Sequence, residues 1–468
     1  MKRLSSELAA LSFSEVGSKL LGLIAITYLA RILGPDGMGI IALGTAILMY
    51  GSICSDWGLP ILGTRFAAEG NVSLVSLKNK ISLARLYLSI MVVLLGGLLI
   101  WAVIEEPVTR QVTLFYLLGL IPASLTLDWL FQGIRWIATL ATGRILGMTA
   151  YLLVVIVLVD TSSDMIFVPV AWGLGVIVQV LYLWFHSKSN DILNTRLKPF
   201  QPSLTQMIRG AIPLGLANLI AQVVLQFPII YLTIFESAAD AGLFSVAFRV
   251  IMVFLMLDRV YYTLFFPIIS GSVEEGRDAL NRRFQRAIKF IALSGFFLGT
   301  LFVITGDTLF PLLFGKAFRA SVPIFNILVI YFIMTLLSST LSFTLIALKK
   351  EKLYTQSLIT GAVGFTGILL LPLPGGAQLA APLALVVFQL ITFLVMIRHL
   401  QDTIPLSIAR IVLSPMLVTM LLITIGAMIR HLNPLIVSIV VIVLSLPALV
   451  LAIGFSRDDW IFIRKSIL

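Results

Sequence analysis

Several charged side chains lie within long apolar segments of this 468-residue chain, and they are its strongest candidates for a functional role. A charge at mid-membrane costs roughly 2.5–3.5 kcal/mol on insertion scales, so such a side chain usually faces a partner or a cavity. Arg249 and Arg259 share one apolar segment, 241–270, with Asp258. At about 100° per residue, Asp258 falls on the helix face opposite Arg249. We therefore expect Arg249 to contact either a carboxylate from another helix or an anionic ligand. Phosphate is a suitable ligand, because arginine binds it with two parallel hydrogen bonds.

Other embedded charges are spaced so that they could pair. Glu15 and Lys19 are four residues apart with the acid first, which is the favourable order on a helix. Asp128, near the end of the fourth apolar segment, and Arg144, early in the fifth, are expected to meet at the cytoplasmic side. Asp56 lies one turn from the end of the second segment. A structural role and a role in ion coupling both stay open for these residues.

The elements that must position these charges are about fourteen apolar segments, each near the ~20 residues that cross ~30 Å of hydrocarbon. Lysine and arginine gather in every second gap between them: 25 of the 33 fall on one side, 5 on the other and 3 inside segments. The positive-inside rule then places both termini in the cytoplasm. Backbone polar groups in lipid must be satisfied within each segment, so the sequence predicts an all-α polytopic membrane protein.

Composition supports a membrane protein and excludes several other classes. The hydrophobic share is 59%, the charged share 12% and the mean hydropathy +1.06, whereas about a quarter of residues are charged in soluble domains. The net charge of +11 is assigned to loops facing anionic membrane lipid, and no nucleic-acid partner is expected. The single cysteine, Cys54, excludes an internal disulfide, and the three histidines fall in or beside loops. We expect neither a metal site nor a cofactor.

The longest predicted cytoplasmic connection lies between the sixth and the seventh apolar segment, so six segments precede it and eight follow it. Residues 28–39, at the first extracytoplasmic turn, are echoed 203 positions later by residues 231–242. An even number of helices per repeat predicts two six-helix lobes related by a pseudo-two-fold axis along the membrane normal. The predicted organisation is an N-terminal lobe at 1–190, a cytoplasmic linker at 191–205, a C-terminal lobe at 206–400, and two additional helices with a cytoplasmic tail at 401–468.

Motifs in the first 135 residues carry a family resemblance. The run Tyr-Leu-Ala-Arg-Ile-Leu-Gly-Pro-Asp-Gly-Met-Gly at 28–39, with Asp-Trp-Gly-Leu at 56–59 and Gly-Thr-Arg-Phe-Ala-Ala-Glu at 63–69, resembles the bacterial polysaccharide transporters. These are the Wzx-type flippases of lipid-linked oligosaccharides, within the multidrug/oligosaccharidyl-lipid/polysaccharide exporter superfamily. The segments 127–133 and 241–247 are similar to that family as well.

The resemblance implies a fold of two six-helix lobes around a central cavity, sometimes with two extra helices. It implies a flippase of the bacterial inner membrane that moves an undecaprenyl-diphosphate-linked glycan, an O-antigen, capsule or exopolysaccharide unit, to the periplasmic leaflet by alternating access. The polysaccharide polymerase and chain-length machinery would be its protein partners. Cationic cavity residues would receive the diphosphate, and the positions suited to that part here are Lys19, Arg31, Arg65 and Arg249.

Three alternatives compete with this interpretation. A proton- or sodium-coupled multidrug or cation exporter should have an acidic site, whereas the embedded carboxylates here are few and mostly have basic neighbours. An enzyme that polymerises or ligates glycans should have a sizeable periplasmic loop, and the sequence has none, so we expect no enzyme. A lipid II flippase shares the diphosphate headgroup and stays open. The sequence identifies neither the glycan nor the coupling ion, H⁺ or Na⁺.

Overall fold

The computed structural model describes residues 2–188, 199–200, 202, 204–401, 403–404, 409–429 and 434–467. Most of the predicted linker at 191–205 lies outside the described residues, as does the side chain of Glu15. The chain forms two compact units, Met1–Val246 and Ala247–Leu468. The lobe boundaries expected from the sequence stay a prediction.

Helices build the first unit throughout its described part. In chain order they are α1 (Lys2–Asp56), α2 (Leu59–Glu69), α3 (Leu74–Val103), α4 (Pro107–Leu118), α5 (Leu120–Ser124), α6 (Asp128–Gly133), α7 (Ile137–Leu158), a 3₁₀ turn (Ser162–Ile166), α8 (Phe167–His186), α9 (Leu204–Phe235) and the start of α10 (Ala238–Phe254).

The second unit is also built of helices within its described part. After the end of α10 come α11 (Met256–Glu274), α12 (Arg277–Phe314), a 3₁₀ turn (Lys316–Ala320), α13 (Ser321–Ala347), α14 (Glu351–Leu370), α15 (Gly376–Leu400), a π turn (Ala409–Leu413), α16 (Ser414–Ile429), α17 (Pro434–Ile453) and α18 (Arg457–Ile467). Residues 271–286, which follow the apolar segment 241–270 and which the charge pattern predicts to be cytoplasmic, are almost wholly helical. α11 and α12 extend through them and leave only two residues between the helices.

Length, composition and burial identify these helices as membrane-spanning. Ten helices of the described chain are long and apolar enough to cross a membrane, and two shorter apolar segments, Gln222–Phe235 and Val437–Ile453, accompany them. Large apolar side chains on α3 point outward: Leu94, Leu98 and Trp101 are 64–69% exposed. A surface of that kind is unfavourable in water and suits contact with lipid. The all-α polytopic fold expected from the sequence is confirmed.

Two irregular positions reconcile these helices with the fourteen predicted passes. The 40-residue apolar stretch Gly17–Asp56 turns at Gly34, whose φ of 66° is in the left-handed region that glycine adopts without strain. Pro35 follows and begins the next pass, where its fixed φ suits a first helical residue. The fourth predicted pass, 111–133, is divided among α4, α5 and α6. With these divisions the structure accommodates fourteen passes.

The two segments that echo each other in sequence meet inside the first unit. A Cβ atom at Gly39 would overlap the carbonyl oxygen of Ala238, and one at Gly242 would overlap the carbonyl oxygen of Pro35. The same Cβ at Gly242 would lie 2.9 Å from the backbone nitrogen of Gly39. Small residues allow helix backbones in membranes to approach this closely. The repeated glycine therefore has a packing role in both copies.

We predict that Gly39→Ala and Gly242→Ala each destabilise the solubilised protein. The obstacles are backbone atoms, which no rotamer change can move, so each cost should be about 1–3 kcal/mol. Thermal unfolding in detergent measures the effect. Gly173→Ala is the matched control, because a Cβ there meets nothing within 4 Å. Equal unfolding temperatures for all three variants would contradict the close glycine contact.

Candidate functional site

An arginine and an aspartate form a buried ion pair in the first unit. Arg85 on α3 is 5% exposed, and its Nε donates to Oδ1 of Asp56 on α1 over 2.7 Å. Its terminal nitrogens donate to the carbonyl oxygens of Thr126, at 3.1 Å, and Ala123, at 3.4 Å. These bonds pair the charge and engage all three nitrogens of the guanidinium, as a buried arginine requires. Asp56 is therefore already neutralised within the protein.

A second acid of this unit is held in the same way. The Nη2 atom of Arg144 lies 2.8 Å from Oδ2 of Asp128, and its Nε donates to the same oxygen over 2.9 Å. Gln179 on α8 donates from Nε2 to the other carboxylate oxygen over 2.8 Å. Both oxygens of Asp128 are thus occupied, and the three side chains connect α6, α7 and α8. The site can hold helices together without any ligand.

Sequence analysis missed a buried polar stripe on α3. Lys78, Ser82, Arg85 and Ser89 are all buried, although the two cations were counted among the cytoplasmic loop charges. The ammonium of Lys78 donates to Ser187 Oγ over 3.2 Å and lies 4.6 Å from the ring centroid of Trp184. The spacing of i, i+4, i+7 and i+11 puts the four side chains on one helix face, and that spacing is readable from the sequence.

The cations expected to receive a diphosphate differ in exposure. Arg65, on α2, is exposed and its Nε donates to Glu69 over 2.9 Å. An exposed pair of this kind contributes only about 0–1 kcal/mol, so an anionic ligand could displace Glu69. Lys19 and Arg31 are also exposed, whereas Arg249 on α10 is half-buried. Lys19, Arg31 and Arg65 belong to the first unit and Arg249 to the second.

The helix that carries the remaining embedded charges has one irregular residue. α10 ends at Phe254 and α11 begins at Met256, within one apolar stretch, Ala238–Glu274, and Leu255 between them keeps a helical backbone. Arg259, near the start of α11, is exposed. Asp258 is partly exposed, but its Oδ1 is shielded from solvent with no hydrogen-bond partner among the described residues. The single apolar segment that the sequence predicts at 241–270 lies within this stretch.

A charge cluster ties the C-terminal helix to the second unit. Asp459 on α18 is 3% exposed and lies 3.1 Å from Lys289 Nζ and 3.8 Å from Arg286 Nε, both on α12. Burial by itself raises the pKa of Asp459, but hydrogen bonds from Ser456 and from the Lys289 ammonium outweigh it and hold that pKa below its ordinary value. Arg286 and Lys289 therefore have a docking role besides the topological role that the sequence predicts.

Within the described part of the chain, no group of three or more His, Cys, Asp or Glu side chains could hold a metal ion. Cys54 is exposed and free. The chemistry that the described charged residues offer is ion pairing and anion binding by arginine. Such a set suits recognition and movement of a charged solute.

Comparison with known structures places this fold among membrane flippases and exporters. The chain is similar to "Lipid II flippase MurJ, inward closed conformation", with 13% identity, a TM-score of 0.67, and coverage of 93% of this chain and 97% of that one. It is similar to an inward-facing multidrug resistance MATE family transporter of the MOP superfamily, with 13% identity, a TM-score of 0.51, and coverage of 84% and 94%. A MATE structure in complex with MaL6 gives 13% identity, a TM-score of 0.54, and coverage of 85% and 96%.

The sequence itself assigns the family. The model of the family described as polysaccharide biosynthesis protein matches residues 6–273, which is more than half of the chain. The chain is thus a multi-pass membrane protein with the MurJ and MATE fold, and it belongs to the polysaccharide biosynthesis protein family. No curated protein matches its sequence.

We predict that Arg85→Met leaves the Asp56 carboxylate without its ion-pair partner and destabilises the protein. Breaking a buried pair costs about 3–5 kcal/mol, and the low end applies because the Asp56 side chain keeps 26% exposure. The double variant Asp56→Leu with Arg85→Met should recover most of the loss, since no unpaired charge remains. Unfolding temperature and membrane yield measure both. Arg65→Met, which breaks an exposed pair, is the control and should cost under about 1 kcal/mol. A double variant no better than Arg85→Met would refute the pairing argument.

Proposed function

We propose that the protein is a flippase that moves an undecaprenyl-diphosphate-linked oligosaccharide from the cytoplasmic to the periplasmic leaflet by alternating access. The observation that carries this proposal is the family match to polysaccharide biosynthesis proteins on a chain whose fold follows that of a lipid II flippase over 93% of its length. The glycan would be an O-antigen, capsule or exopolysaccharide repeat unit. Its periplasmic product would then serve a polymerase with its chain-length machinery.

The side chains favour an anionic lipid headgroup over a cationic drug. A cation exporter needs carboxylates that are open to its substrate, but in the first unit Asp56 and Asp128 are each held by an arginine. Lys19, Arg31 and Arg65 are exposed, and Arg249 is half-buried. A diphosphate carries negative charge and several acceptor oxygens, which arginine binds with paired hydrogen bonds. Lipid II presents the same headgroup chemistry and is the second candidate substrate.

Purified protein in liposomes tests the proposal directly. A lipid-linked oligosaccharide with a fluorescent glycan should pass between leaflets, which an impermeant glycan-cleaving enzyme added outside reports as a change in the accessible fraction. The lipid should be recovered chemically unchanged, since we propose transport without catalysis. Movement of lipid II alone would select the second candidate. Export of a cationic dye without glycan movement, or cleavage or polymerisation of the lipid, would overturn the proposal.

In that assay we predict that Arg249→Ala slows translocation about 10- to 100-fold, because hydrogen bonds to a charged group contribute about 1.5–3 kcal/mol. The variant should insert at the normal level. Arg249→Lys should recover only part of the rate, since lysine keeps the charge but cannot donate two parallel hydrogen bonds to one phosphate. Arg319→Ala, an exposed cation of the same unit outside α10, is the matched control and should transport normally.

Two other outcomes for Arg249 have distinct meanings. If Arg249 is half of a structural ion pair, Arg249→Ala should express poorly and recover when the partner acid is also removed. If a well-inserted Arg249→Ala transports like the unaltered protein, Arg249 takes no part in headgroup binding. Lys19, Arg31 and Arg65 are proposed to assist, and each alanine variant enters the same comparison.

We also propose that the protein lies in the bacterial inner membrane with both termini in the cytoplasm, as the 25-to-5 distribution of basic residues predicts. Cysteine labelling from outside measures this. The exposed Cys54 is first replaced by alanine. Single cysteines at Glu105 and Glu236 should then react with an impermeant reagent, and cysteines at Arg282 and Lys352 should react only after the membrane is opened. The reverse pattern would invert the proposed orientation.

A further inference from the structure

The connection between α17 and α18, residues 454–456, lies beside two cations of α12 that share one carboxylate. Lys289 donates from Nζ to the carbonyl oxygen of Gly454 over 3.0 Å and to Oδ2 of Asp459 over 3.1 Å. Arg286, one turn earlier on α12, has its Nε 3.8 Å from Oδ1 of the same carboxylate. The side chain of Arg286 is partly exposed, so an anion outside the protein can also reach it.

Arg410 brings a third cation to this connection. A Cβ atom at Gly454 would lie 3.4 Å from the Nε of Arg410 and 3.5 Å from its Cζ, so the guanidinium packs against the glycine. Arg410 is exposed, and no carboxylate pairs with it among the described residues. Asp458 is exposed, and neighbouring residues on a helix do not share a face, so it cannot join Asp459 in this cluster. Three cations and one carboxylate leave two positive charges in excess.

The outward face of α18 extends the positive surface. Arg457, Trp460 and Arg464 are all exposed, and their spacing of i, i+3 and i+7 puts them on one helix face. The Trp460 ring packs edge-on against Phe455, with the ring centroids 5.1 Å apart, and this contact holds the indole at the surface. A helix that combines exposed tryptophan with arginine is typical of the headgroup level of a membrane. The face therefore suits a surface that is both anionic and apolar.

Exposed aliphatic side chains adjoin the cations along both neighbouring helices. Leu451 on α17, three residues before Gly454, is 82% exposed. Leu413, three residues after Arg410, is exposed, and Leu417 on α16 is 63% exposed. Leucines exposed on apolar membrane segments suit contact with acyl chains. A ligand that covers both the arginine and the leucines is an anion joined to hydrocarbon. A soluble anion would leave the leucines uncovered.

We propose that an anionic membrane phospholipid binds at the α17–α18 connection, with its phosphate on Arg410 and its acyl chains along the exposed leucines of α16 and α17. Arginine binds a phosphate with paired hydrogen bonds, and the partly exposed Arg286 adds positive potential beside it. The phosphate offsets the excess positive charge, so the bound lipid strengthens the attachment of α18 to α12. This lipid remains in its leaflet, and its binding does not depend on which solute the protein transports.

Fluorescence quenching in nanodiscs measures which lipid lies next to α18. A minor share of phosphatidylglycerol with brominated chains is mixed into phosphatidylcholine, and the Trp460 signal is the difference between the unaltered protein and Trp460→Phe. Quenching should exceed the value expected from the bulk share of brominated lipid several-fold, and high salt should weaken it. Brominated phosphatidylcholine diluted into phosphatidylglycerol should quench less than its bulk share predicts. Quenching that follows the bulk share for both lipids would overturn the lipid site.

Substitutions test whether Arg410 holds the phosphate. Arg410→Gln keeps a long side chain against Gly454 and should lower the enrichment about fivefold, which corresponds to roughly 1 kcal/mol for one basic residue at an anionic membrane surface. Arg410→Lys should retain part of the enrichment. Lys352→Ala, which removes an exposed cation of the same unit from α14, is the control and should leave the enrichment unchanged. Full enrichment in a folded Arg410→Gln variant would refute the assignment to Arg410.

Thermal unfolding in detergent separates a lipid from a free anion. Added phosphatidylglycerol should raise the unfolding temperature of the unaltered protein more than added phosphatidylcholine does, and Arg410→Gln should lose that difference. An equal rise with inorganic phosphate alone would show a site for free phosphate and defeat the lipid proposal. Neither assay measures movement of a glycan. A protein that binds this lipid but moves no glycan would therefore keep the lipid site and lose the proposed function, and the converse result would do the reverse.

Discussion

The inability of hydrocarbon to solvate charge is the constraint on which this structure depends. Backbone groups must bond within each segment, so the described chain folds into helices. A buried side-chain charge must also meet a partner, and the first unit shows how completely this is done. Arg85 is surrounded by Asp56 and two carbonyl oxygens, and Asp128 receives Arg144 and Gln179. These pairs connect helices and thereby fix how the helices pack. That packing offsets the cost of burying each charge.

Three acids in the described membrane segments show two arrangements. Asp56 and Asp128 are each paired with an arginine in place. Asp258 has one carboxyl oxygen that is shielded from solvent and has no hydrogen-bond partner among the described residues. The cost of leaving a buried charge without a partner explains why Asp56 and Asp128 meet arginines.

The fold by itself does not select a substrate. Lipid flippases and multidrug exporters share it at identities near 13%, so what is moved depends on the side chains that each chain presents. In this chain Lys19, Arg31 and Arg65 are exposed cations, and the family match leads to polysaccharide synthesis. The cations counted on the predicted cytoplasmic side also differ in what they contact. Lys289 and Arg286 hold Asp459 and dock the C-terminal helix.

Hydropathy and basic-residue counts were sufficient to predict the class of protein, the approximate passes and the turn at Gly34, because each is a sum over neighbouring residues. The closeness of the echoed glycines, Gly39 and Gly242, became evident only when the helices were packed. Tertiary structure also decided which charges are buried. Lys78 and Arg85 looked like loop cations, yet α3 begins at Leu74 and turns both inward. Ion pairs depend on the rotation and register of helices far apart in sequence, which no local pattern records.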